Sequence, residues 1–266
     1  MNAQLTGRRA LVTGAGSGLG AAIATALAAE GAEVVVHGRD PARTESVAGA
    51  IRAAGGGAVA AVGDLATDAG ADAVAGAALA AGPIDILVNN AGAYPHRSWR
   101  DATADDWREA YEVNVISGVR MIRRVVPGMR ERGWGRVIQI GGGLALQPGA
   151  ELPHYSATLA ARHNLAVSLA RELKGTGVTS NTVSPGAILV DGVRRFITGL
   201  AADRGWGETW PEIERHAIEE LAPNDVGRMG RPEEIAAAVL YLSGPLADYV
   251  TGTTLRVDGG TVRGLH

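Results

Sequence analysis

Short runs rich in Val, Ile, Leu and Ala alternate along the chain with longer Ala-rich stretches whose polar residues recur at helical spacing. Continuous apolar runs of strand length suit a parallel sheet buried on both faces, and the helical stretches between them are the crossovers that parallel pairing needs. The runs Arg9 to Thr13, Glu33 to His37, Ala58 to Val62, Ile84 to Asn89, Arg136 to Ile140, Val178 to Val183 and Thr254 to Val257 are predicted strands. The intervening stretches Gly18 to Glu30, Pro41 to Ala54, Asp68 to Ala80, Thr103 to Arg132, Tyr155 to Lys174 and Pro232 to Leu242 are predicted helices. The expected fold class is α/β, a doubly wound parallel sheet of about seven strands with helices on both faces, forming one domain over residues 1–266. The rhythm breaks from 187 to 229, where no strand pattern occurs and Arg194, Arg195, Phe196, Trp206 and Trp210 fall in a long insertion. Insertions of that length tend to be lids or binding loops.

Composition narrows the functions. With 46% hydrophobic residues a sizeable core is available, while the net charge of −3 gives no basic surplus for nucleic acid. The absence of cysteine removes disulfides, thiolate metal sites and a thiol nucleophile together. No apolar run approaches the ~18 residues of a membrane span, and the N-terminal segment lacks the apolar stretch of a secretion signal. A cytoplasmic protein that contacts neither nucleic acid nor membrane is expected.

Directly after the first strand comes Thr13-Gly14-Ala15-Gly16-Ser17-Gly18-Leu19-Gly20, which opens into a helix. Glycines there allow a tight turn and close approach of the backbone to a pyrophosphate, and the helix N-terminus presents free N–H groups to the anion. This makes Gly14, Ser17, Gly18, Leu19 and Gly20 candidate cofactor contacts of a Rossmann-type dinucleotide site.

The spacing TGxxxGxG, together with Asn89-Asn90-Ala91-Gly92, Asp64-Leu65 and Ser184-Pro185-Gly186, resembles the short-chain dehydrogenase/reductase family over nearly the whole chain, in particular its 3-oxoacyl carrier-protein reductase branch. The resemblance implies that Asp64, Leu65, Asn90, Ala91, Gly92, Tyr155, Pro185, Gly186 and Ile188 also line the cofactor site. Gly38 occupies the slot that usually holds the acid bonding the ribose 2′-hydroxyl of NAD, and Arg39 follows it. A missing carboxylate and an added cation favour NADP(H) over NAD; the alternative is that Arg39 is solvated and Asp40 merely caps the next helix.

The family's catalytic set is serine, tyrosine and lysine with a helix asparagine. Tyr155 and Asn114 match the tyrosine and the asparagine, whereas the serine slot holds Gly142, the lysine slot Leu159, and a threonine slot after the Pro-Gly turn Val190. The single lysine, Lys174, lies nineteen residues beyond Tyr155, ~28 Å along a helix, and is expected at the surface. Arg162 shares the helical face of Tyr155 and could stand in for the lysine, but a bridge across a subunit interface is the expected role. His154 and His163 are expected to be structural; His96, in the loop after the NNAG element, and Gly142 are candidate substrate contacts.

Without the lysine, Tyr155 should stay protonated at neutral pH, which suits a proton donor better than a base and favours carbonyl reduction over alcohol oxidation. The leading expectation is an NADPH-dependent reductase of a ketone or quinone on a partly apolar substrate. Three departures at the reacting centre keep two alternatives open: a redox-neutral isomerase, dehydratase or cyclase, and a catalytically weak cofactor-binding subunit or sensor. The resemblance further implies a homotetramer built through the two long helices.

Overall fold

The computed structural model describes residues 3–264. Its centre is a sheet of seven parallel strands in the order β3-β2-β1-β4-β5-β6-β7, namely β1 (Arg9–Val12), β2 (Glu33–Gly38), β3 (Gly57–Val62), β4 (Ile86–Asn89), β5 (Gly135–Ile140), β6 (Val178–Pro185) and β7 (Thr254–Val257). Strand order reverses between β1 and β4, so their C-terminal ends diverge and leave the crevice in which open α/β sheets bind ligands.

Side chains alternate across the sheet with the period of two that a pleated strand imposes. Val12, Val34, Val36, Val88 and Ile138 face one core with Ile23 and Leu27 of α1 (Gly18–Ala29) and Ile235 and Val239 of α9 (Pro232–Ser243). Leu11, Val35, Leu87 and Val137 face the other, against Val74 of α3 (Asp68–Leu79) and Met121, Val125 and Met129 of α5 (Ser117–Glu131). The predicted doubly wound architecture is therefore the observed one. Asp40 does cap α2 (Pro41–Ala53), its Oδ1 accepting the N–H of Arg43 at 3.1 Å.

Most boundaries shift by one or two residues, and three differences bear on the site. β4 begins at Ile86 rather than Ile84, and β6 runs on to Pro185 because its last residues pair with β7. The helix expected over Thr103 to Arg132 is broken into α4 (Ala104–Tyr111), a π-helical turn (Glu112–Ile116) and α5, and Asn114 sits within the π-turn. After β5 comes α6 (Pro153–Glu172).

The segment 187–229 holds α7 (Asp191–Arg204) and α8 (Trp210–Glu220) and no strand. It has a small core of its own, in which Ile197, Ala201, Trp206, Ile213, Ala217 and Met229 pack together. Trp206 is buried and its indole N–H donates to Glu220 at 2.8 Å, so this residue holds the insertion together. Among the described residues, no helix is long and apolar enough to cross a membrane.

Candidate active site

The glycine turn after β1 is shaped by what surrounds it. Gly14 and Gly18 have φ of +65° and +56°, and a Cβ at Gly14 would lie 2.8 Å from Ala91 Cα. A Cβ at Gly20 would drive into the Gly14 carbonyl and Asn90 Nδ2. Only glycine permits this approach. Thr13 stitches the turn to the NNAG segment: its hydroxyl accepts the N–H groups of Asn90 and Ala91, both at 3.0 Å, while Asn90 Nδ2 donates to the carbonyls of Thr13 at 2.9 Å and Gly14 at 3.1 Å. At the head of α1, Ser17 makes no side-chain cap and no acid occupies the first turn. The first N–H groups of that helix are thus left for a ligand, with the positive end of the helix dipole behind them.

His37 ties this turn to the second and third strands. Its Nδ1 accepts the Gly14 N–H at 3.1 Å and its Nε2 lies 3.1 Å from the Gly63 carbonyl, so the imidazole is neutral with its proton on Nε2. Burial pushes its pKa below the usual histidine value. At Gly38 a Cβ would collide with Thr44 Oγ1, and Thr44 is fully buried. In this packing any side chain at position 38 would displace the Thr44 hydroxyl. Arg39 is exposed beside it, and Arg43, which the sequence pattern did not single out, is exposed with its Cβ 3.7 Å from where a Gly16 Cβ would stand. Leu65 is buried and Asp64 is exposed, its carboxylate accepting the Ala66 N–H at 3.0 Å.

At the other end of the crevice, the Asn114 side chain grips the loop after β4: Oδ1 accepts the Ala93 N–H at 2.7 Å, and Nδ2 donates to the Ala93 carbonyl at 2.9 Å and to Thr158 Oγ1 at 3.1 Å. Tyr94, from the same loop, meets the Tyr155 ring with centroids 5.7 Å apart. His96 lies in that loop too, stacked on Phe196 of α7 at 5.5 Å. Beyond β6, the Gly186 N–H donates to the Val257 carbonyl, Ile188 bridges to Gly230, and Val190 comes within 3.7 Å of where a Gly18 Cβ would stand. Pro185, Gly186 and Ile188 are thereby carried back toward the glycine turn. Lys174 is exposed beyond the end of α6, as expected.

Arg162 overturns its expected role as an interface bridge. It is only 5% exposed, and its guanidinium donates to three carbonyls of its own chain: Asn114 through Nε, Ala91 through Nη2, and Ile140 through Nη1 at 2.7 Å. Helical side chains lean toward the N-terminus, so a residue seven positions after Tyr155 reaches back toward it. Burial pushes the guanidinium pKa down to about 10. Burial pushes the Tyr155 phenol up, Arg162 acts against that rise, and Tyr94 adds to it.

The short chain dehydrogenase family matches residues 8–198. This chain belongs to the short-chain dehydrogenase family. It is 40% identical to the uncharacterized oxidoreductase YvaG of Bacillus subtilis over 99% of both chains. The 3-oxoacyl (acyl-carrier-protein) reductase of Agrobacterium tumefaciens, solved with NADP bound, superposes with a TM-score of 0.87 at 38% identity, covering 97% of this chain and 96% of that one. The L-sorbose reductase of Gluconobacter frateurii, complexed with NADPH and L-sorbose, gives a TM-score of 0.93 at 33% identity over the whole of both chains.

Within this short-chain dehydrogenase, the two unusual catalytic slots prove to be neighbours. A Cβ on Gly142 would lie 3.0 Å from Leu159 Cδ1, so the leucine fills space toward which a side chain at 142 would project. Leu159 is 2% exposed. Gly142 and Leu159 therefore share one packing space, and the corner they form is apolar.

Proposed function

We propose that this oxidoreductase reduces a ketone or quinone carbonyl on a partly apolar substrate at the expense of NADPH. The cofactor is NADP(H), and the residues present fit it. The glycine cradle would be filled by Cβ atoms at Gly14 or Gly20, the α1 N-terminus is uncapped, and Gly38, tucked against Thr44, offers no acid to favour NAD. Gly14, Ser17, Gly18, Leu19 and Gly20 would hold the pyrophosphate, with Arg39 and Arg43 near the 2′-phosphate. Asp64 and Leu65 would flank the adenine; Asn90, Ala91, Gly92, Pro185, Gly186 and Ile188 would line the nicotinamide half.

NADPH, when bound, supplies a hydride. Tyr155 holds a proton at its phenol oxygen and delivers it to the oxygen of the substrate carbonyl. Asn114 holds the loop that carries Tyr94 and His96, whose rings, with Phe196, form an aromatic mouth above the apolar corner of Gly142 and Leu159. The observation that carries the direction is the burial of Tyr155, which raises its pKa and keeps the phenol protonated at neutral pH. A donor is what reduction needs; oxidation needs the phenolate. Segment 187–229 acts as the lid. The outer faces of α5 and α6, where Ile122, Leu165 and Leu169 line shallow grooves, support a homotetramer, and the proposed location is cytoplasmic.

The apolar Gly142 and Leu159 corner favours a second reading, a redox-neutral catalyst or a cofactor-binding subunit that has shed hydride transfer. NADPH absorbance followed against a panel of ketones and quinones decides among them. Oxidation of NADPH is expected, and Tyr155→Phe should lower kcat about 10²–10⁴-fold while leaving NADPH affinity unchanged. Product formed without cofactor oxidation would favour the redox-neutral reading, and tight NADPH binding without turnover the subunit reading.

A further inference from the structure

A guanidinium is an extravagant way to satisfy three carbonyls, because neutral amide or hydroxyl donors could do so without taking a charge out of water. Yet the partners of Arg162 are the carbonyls of Ala91, Asn114 and Ile140, and no carboxylate pairs with it among the described residues. Those carbonyls belong to the segments that frame Tyr155. Ala91 precedes Tyr94, whose ring meets Tyr155; Asn114 bonds Thr158 on the turn of α6 after Tyr155; and Ile140 precedes Gly142. A positive charge without a carboxylate partner among the described residues has thus been fixed to the three segments that frame the phenol on which the proposed chemistry depends.

The structure assigns to Arg162 the role of the cation that sets the proton affinity of Tyr155, exerted from one helical turn beyond Leu159. This deepens the reading of Tyr155 as proton donor and rests on it. Arg162 acts through Tyr155 and so is a positioning residue. Its planar fork is held by main-chain acceptors and keeps its protons at neutral pH, so it biases the phenol electrostatically without exchanging a proton with it. The groups acting on Tyr155 are Arg162 from its own helix and Tyr94 from the loop after β4; of these only Arg162 favours the phenolate. Leu159, turned toward Gly142, leaves that cation the site's electrostatic work and closes the floor with carbon.

The experiment is a pH titration of the apo protein by NMR, with 13C at the ζ carbons of tyrosine and arginine and Tyr155 assigned by Tyr155→Phe. Arg162→Gln keeps donors but removes charge, and should move the Tyr155 midpoint up by about one pH unit or more, a tenfold change in proton affinity. Arg162→Lys should hold it within about half a unit of the native value. The reciprocal effect needs no change at Arg162: in Tyr155→Phe, the Arg162 guanidinium should lose its charge at lower pH than in the native protein. An unmoved Tyr155 midpoint in folded Arg162→Gln would overturn the assignment. If that variant does not fold, an Arg162 titration identical in the native and Tyr155→Phe proteins overturns it instead. Neither substrate nor cofactor is present, so a protein that reduces nothing in the turnover assay could still pass this test, and an active one could fail it.

Discussion

The two ends of the crevice are built on different principles. At the glycine turn the backbone carries the shape: positive-φ glycines, main-chain groups held by the Thr13, Asn90 and His37 side chains, and the space left where a Cβ would collide. At the Tyr155 end the bonding falls to side chains, Asn114 and Arg162 reaching to the carbonyls of other segments while Leu159 packs against Gly142. Such a cradle resists piecemeal change at Gly14 and Gly20, where another main-chain segment stands in the place of a Cβ. A side-chain site can be rearranged one residue at a time, provided the packing is made good.

The sharpest way to break this contrast is to place the same small change at both ends. Gly20→Ala puts a methyl group where the Gly14 carbonyl and Asn90 Nδ2 already stand, and should weaken NADPH binding about 100-fold or more in a fluorescence titration. Gly142→Ala adds the same methyl against the end of a flexible leucine, and should leave NADPH affinity within about twofold. Equal losses at the two positions would mean that the Tyr155 end is as unforgiving as the cradle.

A second test asks whether Gly142 and Leu159 act as one packing unit. Gly142→Ser alone should destabilise by about 1 kcal/mol, because its Cβ presses on Leu159. Leu159→Ala alone should cost about 2–5 kcal/mol as a cavity forms. Combined, the serine moves into the vacated space, and the double variant should be more stable than the sum of the parts by about 0.5–3 kcal/mol in urea unfolding. Strict additivity would separate the two positions.

The contrast also explains what could be read from the sequence. The seven strands, their crossovers and the glycine turn announce themselves through apolar period and glycine spacing, since backbone geometry leaves a local trace. Arg162 leaves almost none. Its position on the face of Tyr155 was visible, but an arginine seven residues along a helix looks like any surface arginine until the carbonyls of Ala91, Asn114 and Ile140 converge on it from three other segments. The π-turn was hidden for a similar reason. The pattern from Thr103 to Arg132 is helical throughout, and the extra residue in the turn is stabilised by tertiary bonds, Asn114 to Ala93 and Thr158 and its own carbonyl to Arg162. Thr44, whose hydroxyl stands where a side chain at position 38 would project, is likewise invisible until α2 docks on β2.

The smallest expected effect compares two histidines, one at each end. His37 has one ring nitrogen engaged by the Gly14 N–H of the cradle and the other by the Gly63 carbonyl after β3, whereas His163 Nε2, packed against Gly141, is buried without a partner. Burial lowers the pKa of both below 6.5. As pH falls below that value the unfolded chain takes up protons that the folded protein refuses, so stability is full above about pH 7 and declines on acidification until the folded-state pKa values are reached. The slope is at most about 1.4 kcal/mol per pH unit for each histidine. Urea midpoints at pH 7.5, 6.5 and 5.5 should therefore fall in the native protein. They should fall less steeply in His37→Gln, because protonation of the native imidazole sets Nδ1–H against the Gly14 N–H, a conflict the amide escapes. If His163→Leu removes the acid sensitivity and His37→Gln leaves it intact, the pH response belongs to the Tyr155 end, and the cradle is insensitive to its one titratable buttress.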